Sequence, residues 1–227
     1  MAFRAITRQV KMKFIIVKKR QIAISLLMLF VFYSSCRTAS AQTDESVKAY
    51  TKEDAEKFFE IGQSYHRGRN YTLAIDNFSR AIQIDPEYLL AYICRGDTYY
   101  GLQRYSEAIQ DFTCVIQLGF GDAFELGTAY CLRGASYNGI GDYEQAVVDL
   151  TEAIELLRFV PLPYYCRNHS YYMLGKLPEA YDDITIAINL DPLGQNSYAF
   201  YRDRGNIYIM NGKTTPKLLK IMNCRQD

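Results

Sequence analysis

LLAYICRGDTYYGLQRYSEAIQDFTCVIQL, Leu89–Leu118, is the stretch whose spacing decides the fold. Tyr92 precedes Gly96 by four residues. Tyr99 follows that glycine at +3, Tyr105 at +9, Ala108 at +12 and Phe112 at +16. The same register returns around Gly62, Gly134, Asn168 and Gly205. Self-similarity at a period of 20–50 residues is the mark of a stacked array of small units, none of which buries its apolar face alone.

Aligned on that register, the −4 position holds Phe58, Tyr92, Tyr130, Tyr164 and Tyr201, and +3 holds Tyr65, Tyr99, Tyr137, Tyr171 and Tyr208. Position +12 is Ala74, Ala108, Ala146 and Ala180. Position +16 is Phe78, Phe112, Leu150 and Ile184, and +19 is Ala81, Val115, Ala153 and Ala187. The apolar spacing is helical throughout, and no stretch alternates as a strand. Small residues at the centre, +12 and +19 allow two helix axes to pack closely, and the large +16 side chain fills the space between them. Aromatics at −4 and +3, seven apart, form one stripe on the first helix; Tyr92 and Tyr99 from that stripe, with Tyr105 at +9, are predicted as core. Gly141, Gly175 and Gly212 at +7 suit a turn with positive φ. Pro86 and Pro192 close the first and fourth units. Thr51, followed by Glu53 and Asp54, marks the first helix start.

These blocks resemble the tetratricopeptide repeat. The resemblance covers roughly residues 52–224 and rests on the Tyr-x-x-(Arg)-Gly-x-x-Tyr blocks, the Gly141-x-Tyr143 turn and the Ala…Phe…Ala series. The family's tryptophan at −4 is replaced throughout, because the chain has no Trp. The implied fold is all-α, a right-handed superhelix of antiparallel helix pairs. Five units are expected at 52–88, 89–122, 123–160, 161–194 and 195–227. The centre spacings are 34, 38, 34 and 37, so extra residues fall near Gly119–Leu126 and Leu193–Ser197, as longer loops or an extended helix end. The fifth unit is degenerate: Lys217 stands at +12, while Ile221 and Cys224 keep +16 and +19. Its last helix, Pro216 to Cys224, is expected as a basic end cap.

The N-terminal 41 residues differ in kind. They hold eight basic residues and no acid, an apolar run from Ile22 to Tyr33 broken by Ser25, and then Ala39-Ser40-Ala41. That pattern predicts a secretory signal peptide cut after Ala41, with translation starting at Met1 or Met12. Twelve apolar residues fall short of the ~20 that span a bilayer. A second processing route is lipid attachment at Cys36, whose preceding Tyr33-Ser34-Ser35 has the small residues of a lipoprotein box but not its leucine. Residues 42–51 read as a flexible leader. Without residues 1–41, Lys plus Arg falls from 26 to 18 against 25 acids, a net charge near −7. That argues against a phosphate-backbone binder, so no nucleic-acid partner is expected.

Cys94, Cys114, Cys131, Cys166 and Cys224 have neither a disulfide-framework nor a zinc spacing. Small buried side chains are expected, with a Cys94–Cys131 bridge as the alternative. His66 and His169 are not in ligand spacing, and no nucleophile elbow or phosphate loop occurs, so neither catalysis nor a cofactor or metal is expected. Arg95, Arg133, Arg167 and Arg204 recur before the centre; Asp111, Asp149 and Asp183 recur at +15. The first unit has Ile61 and Asn77 there and lacks both charges. This predicts an Arg–Asp ladder, with an arginine row gripping an acidic ligand as the alternative.

The resemblance further implies that first helices line a concave groove through positions −6, −3, +1 and +4, which also share one helical face. In this chain the expected partner-binding residues are Phe59, Gln63, His66, Ile93, Asp97, Tyr100, Asn138, Tyr165, His169 and Tyr172. Some family members clamp a terminal carboxylate with Lys and Asn; Phe59 and Gln63 stand at those places, so no such clamp is implied. The expected activity is non-catalytic binding of a peptide or helix of another protein. The expected location is the bacterial cell envelope, with membrane contact through a lipid anchor alone. The rival readings are a glycan-associated module and a self-associating array.

Overall fold

The computed structural model describes residues 50–119, 121–194 and 197–210. The expected signal segment, Cys36, Gly212, Cys224 and the helix from Pro216 lie outside them. The described residues form nine helices and no strand: α1 Lys52–Arg67, α2 Tyr71–Ile84, α3 Leu89–Gly101, α4 Tyr105–Leu118, α5 Ala123–Ile140, α6 Tyr143–Leu156, α7 Pro161–Met173, α8 Leu177–Leu190 and α9 Ser197–Met210. Connections of two or three residues join α1 to α2, α3 to α4, α5 to α6 and α7 to α8. Links that short make antiparallel pairs. The fold is therefore the all-α superhelix of helix pairs that the repeat predicts. No described helix is long and apolar enough to cross a membrane.

The helix ends follow from side-chain chemistry. Thr51 accepts from the Asp54 amide while Asp54 accepts from the Thr51 amide, which closes a reciprocal box. Asp122 and Glu125 do the same at α5. Asn70 and Asp142 cap α2 and α6. Pro161 and Pro178 sit in the first turns of α7 and α8, where a missing N–H costs nothing.

The turn inside each pair has one fixed requirement. Gly141 and Gly175 adopt φ of 85° and 73° at position +7. The equivalent residues of the first two units are Arg69 and Gln103, and both are held at φ 59°. The geometry belongs to the turn, and two units reach it without glycine, against the clash between Cβ and the following carbonyl. Gln103→Gly is expected to stabilise the protein by about 0.5–1 kcal/mol, after the unfolded-state entropy of glycine is set against the relieved strain. A rise in the urea midpoint at unchanged slope would show it; a fall would mean that Gln103 bears no strain.

The core runs along each pair as small residues facing one large one. Ala74, Ala108, Ala146 and Ala180 are fully buried, as are Phe78, Phe112, Leu150 and Ile184. The approach is close: a Cβ added at Gly96 would lie 2.8 Å from the Phe112 ring, and one at Gly134 would lie 2.7 Å from Leu150. Asn168 is accommodated at the fourth centre, where isoleucine replaces phenylalanine opposite it.

The tyrosine stripe differs from expectation. Tyr92 is buried, but Tyr99 and Tyr105 are only half-buried, and Tyr65 and Tyr201 are exposed. A stack two helices thick cannot enclose both edges of the stripe. Several rings carry a guanidinium instead: Arg95 over Tyr92 at 5.7 Å, Arg104 over Tyr99 at 4.6 Å and Arg133 over Tyr130 at 5.6 Å. The extra residues near Gly119 lengthen a helix. Gly119 ends α4 in the left-handed region, and α5 reaches 18 residues, one turn more than α3 or α7.

Candidate functional site

Two surfaces were candidates for recognition: the arginine row and the groove lined by first helices. Three of the four arginines are paired with carboxylates within the protein, and the fourth, Arg204, lies over the Tyr201 ring at 5.3 Å. Arg95 donates from Nε and Nη2 to the two carboxylate oxygens of Asp111, at 2.9 and 2.7 Å. Arg133 meets Asp149 in the same way at 2.7 and 2.9 Å, and Arg167 meets Asp183 at 2.8 and 2.8 Å. Each ion pair joins the two helices of one unit. The remaining Nη1 reaches back to the preceding unit, donating to Ser79, Thr113 or Thr151 at 2.9, 3.1 and 3.0 Å.

That third contact was missed in the sequence. Its signal is a hydroxyl at +17 in four units, Ser79, Thr113, Thr151 and Thr185. The aspartate side chains are only 2–5% exposed and the arginines 14–19%, so neither partner is offered to a ligand. Burial is the larger influence on Asp111 and raises its pKa, while Arg95 draws it back. The pairs thus fix geometry more than they add stability. In the first unit Asn77, at the aspartate position, donates to the Leu73 carbonyl instead, at 2.7 Å.

The groove is built by the first helices. α1 packs on α3, α3 on α5 and α5 on α7, whereas the second helices do not approach their successors to that extent. First helices therefore take the inner side of the curvature. Side chains link them in turn: His66 Nδ1 to Thr98 Oγ1 at 2.8 Å, and Ser170 Oγ donating to Asn138 Oδ1 at 2.7 Å.

The structure divides the ten expected groove residues. Gln63, His66, Ile93 and Asp97 converge on one cleft of ≈ 390 Å³, together with Arg67, Phe78, Cys94, Thr128 and Leu132. Tyr100 is half-buried, edge-on to Tyr105 at 5.6 Å, and burial raises its phenol pKa. Tyr172 is half-buried further along, its hydroxyl donating to Met210 Sδ at 3.0 Å. His169 is exposed beside Tyr143.

Three of the ten are taken up by packing or hydrogen bonds that turn them away from the groove's open side. Phe59 is 7% exposed and packs against Phe78 and Tyr88, with ring centroids 5.8 and 5.0 Å away. Asn138 also donates to the Cys166 carbonyl at 2.9 Å, so both ends of its amide are occupied. Tyr165 donates to Asp203 at 3.2 Å, and its ring lies 4.8 Å from Phe200, which ties α7 to α9.

Among the described residues no group of three or more His, Cys, Asp or Glu gathers as a metal site. Cys94 and Cys131 are separate thiols, so the Cys94–Cys131 bridge is not formed. Cys131 packs instead against Cys166, and a hydrogen bond between them, with burial, pushes the Cys131 thiol well up. Burial, with Asp97 nearby, pushes Cys94 to about 11.

A TPR repeat family model matches residues 62–103, and a tetratricopeptide repeat model matches residues 127–156. No curated protein sequence matches the chain. Among solved structures the fold is similar to a MamA fragment from Desulfovibrio magneticus RS-1 (TM-score 0.65, 17% identity, 77% of this chain and 98% of that one). It is also similar to a second MamA structure (0.64, 20%, 75% and 88%). YrrB, described as a TPR protein with an unusual peptide-binding site, superposes at 0.60 with 19% identity over 76% of this chain and 85% of its own. With two repeat models matched and the nine described helices stacked in the repeat register, the chain carries tetratricopeptide repeats.

Proposed function

We propose that this protein is a non-catalytic scaffold that binds a peptide or helix of a partner protein along the inner face of α1, α3, α5 and α7. The carrying observation is the cleft where three first helices contribute adjacent side chains, flanked by the half-buried Tyr100. Apolar walls with a few polar groups suit a peptide segment, and aromatic rings make good anchors because they bury much area for little lost freedom. The inner face is preformed, so docking orders little of the scaffold. YrrB, with the same fold, has a peptide-binding site by its own description, which supports the reading.

The location we propose is the bacterial cell envelope. Its support is the composition of residues 1–41: basic start, short apolar run, small residues at Ala39 and Ala41, and Cys36 as the lipid-attachment alternative. We further propose that residues 195–227 complete a fifth unit, with α9 as its first helix.

Tyr100 and Tyr172 are the residues to test, because Tyr165 packs its ring on the buried Phe200 of α9, whereas Tyr172 meets that helix only by its hydroxyl at the terminal Met210. Peptides selected from a random displayed library against the full chain should bind the Tyr100→Ala/Tyr172→Ala double variant at least ~10-fold more weakly, since a buried aromatic anchor contributes about 2 kcal/mol. Circular dichroism should show unchanged helical content. Equal binding by the double variant would reject the groove.

A further inference from the structure

The cleft between α1, α3 and α5 holds two hydrogen-bond acceptors that face each other without a donor between them. The assignment follows from Thr98. Its hydroxyl lies 2.6 Å from the Cys94 carbonyl, which can only accept, so the single hydroxyl hydrogen is committed there. The 2.8 Å contact with His66 is then Nδ1–H donating to Thr98 Oγ1. In a neutral imidazole with its proton on Nδ1, Nε2 carries a bare lone pair. That nitrogen stands 3.9 Å from Asp97 Oδ2, beyond hydrogen-bond reach. No described residue donates a hydrogen bond to the Asp97 carboxylate. Burial raises its pKa.

We infer that this pair is the seat for a basic side chain of the bound partner: a lysine ammonium or arginine guanidinium between His66 Nε2 and Asp97, its aliphatic stem lying along Ile93 and Leu132. The inference rests on the groove reading above and names the chemistry of the ligand there. A nitrogen about 2.8 Å from both acceptors would see them at an angle of about 90°, near the spread of an ammonium's hydrogens. A metal ion fits poorly, because no third His, Cys, Asp or Glu joins the pair among the described residues. The Cys94 thiol, at about 11, is neutral in ordinary buffers. Among the described residues Arg67 is the one other charge lining the cleft; it is exposed, so water screens it. At longer range, residues 42–227 carry 18 basic groups against 25 acids, which steers a cationic partner toward the protein.

The test uses peptides selected from a random displayed library against the full chain, then synthesised and measured by fluorescence anisotropy. Binders should share one lysine or arginine. Replacing it with norleucine keeps the stem and removes the charge, and should weaken binding about 10- to 100-fold, as for a hydrogen bond to a charged group. Asp97→Asn should weaken the parent peptide by a similar factor and leave the norleucine peptide little changed, because the two changes remove one interaction. Binders that need no basic residue overturn the inference, as do norleucine peptides that bind as tightly as their parents or Asp97→Asn binding within twofold of wild type. If such binders still lose affinity with Tyr100→Ala/Tyr172→Ala, the groove stands and the cation seat alone fails. If no selected peptide depends on those tyrosines, the groove fails and the seat fails with it. The norleucine comparison is made on the unaltered protein, so it decides the matter even where Asp97→Asn disturbs folding.

Discussion

Phe112→Ala should lower the unfolding free energy by about 3–5 kcal/mol, the range for deleting a buried aromatic ring. The Phe112 ring is fully buried and sits where a Cβ on Gly96 would be. Gly96 cannot fill the space, and the flanking Ala108 and Val115 lie on the same helix as Phe112, with backbones held by helix hydrogen bonds. The cavity should therefore persist, and the cost should lie toward the upper end. Domains are stable by about 5–15 kcal/mol, so this is a large share of the total. Urea unfolding should show a lower midpoint at similar slope. A loss below about 1 kcal/mol would mean that α3 and α4 slide together to close the gap, and the close packing described at Gly96 would have to be abandoned.

The second large effect is at the central rung of the ladder. Arg133→Ala leaves the Asp149 carboxylate, 2% exposed, without its two charged hydrogen bonds, and leaves Thr113 without its donor. Breaking one side of a buried pair costs about 3–5 kcal/mol, because the stranded charge keeps little water and here only a long hydrogen bond from Gln145, at 3.5 Å. The double variant Arg133→Met/Asp149→Leu leaves no charge stranded, although Thr113 still loses its donor. It should recover most of that loss, since apolar replacements of buried pairs are often neutral. Urea midpoints of the two variants should therefore differ widely. If the double variant is as unstable as Arg133→Ala, the arginine's contribution lies elsewhere, in its stacking on Tyr130 or its reach to Thr113.

Several features were legible in the sequence because they depend on residue size and spacing alone. The +12 alanines had to be small, and they are fully buried. The ladder could be inferred because both charges disappear together in the first unit, at Ile61 and Asn77. The end of the ladder's third arm needed geometry: nothing in one unit says that Nη1 points to a hydroxyl of the unit before it. The strain at Arg69 and Gln103 was hidden because neither residue type announces a positive φ. The groove positions were the least legible part. Offsets place a side chain on a helix face, but they do not say what the next helix brings to it. Tyr88, from the start of α3, covers Phe59, and Ser170 claims Asn138. His66 gave no hint either; its tautomer follows from Thr98, which lies in another unit.

The backward reach of each arginine sets where this chain can be cut and spliced. Ser79, Thr113 and Thr151 each receive the arginine of the next unit, so these three joints need a hydroxyl on the upstream side and an arginine on the downstream side. A segment removed or duplicated from one +17 hydroxyl to the following one carries its own arginine and leaves an intact joint at the scar, whether its length is 34 or 38 residues. A segment that breaks the register leaves an arginine facing no hydroxyl. The array can thus gain or lose members by recombination only in whole steps, and the unequal loop lengths between members place no limit on it.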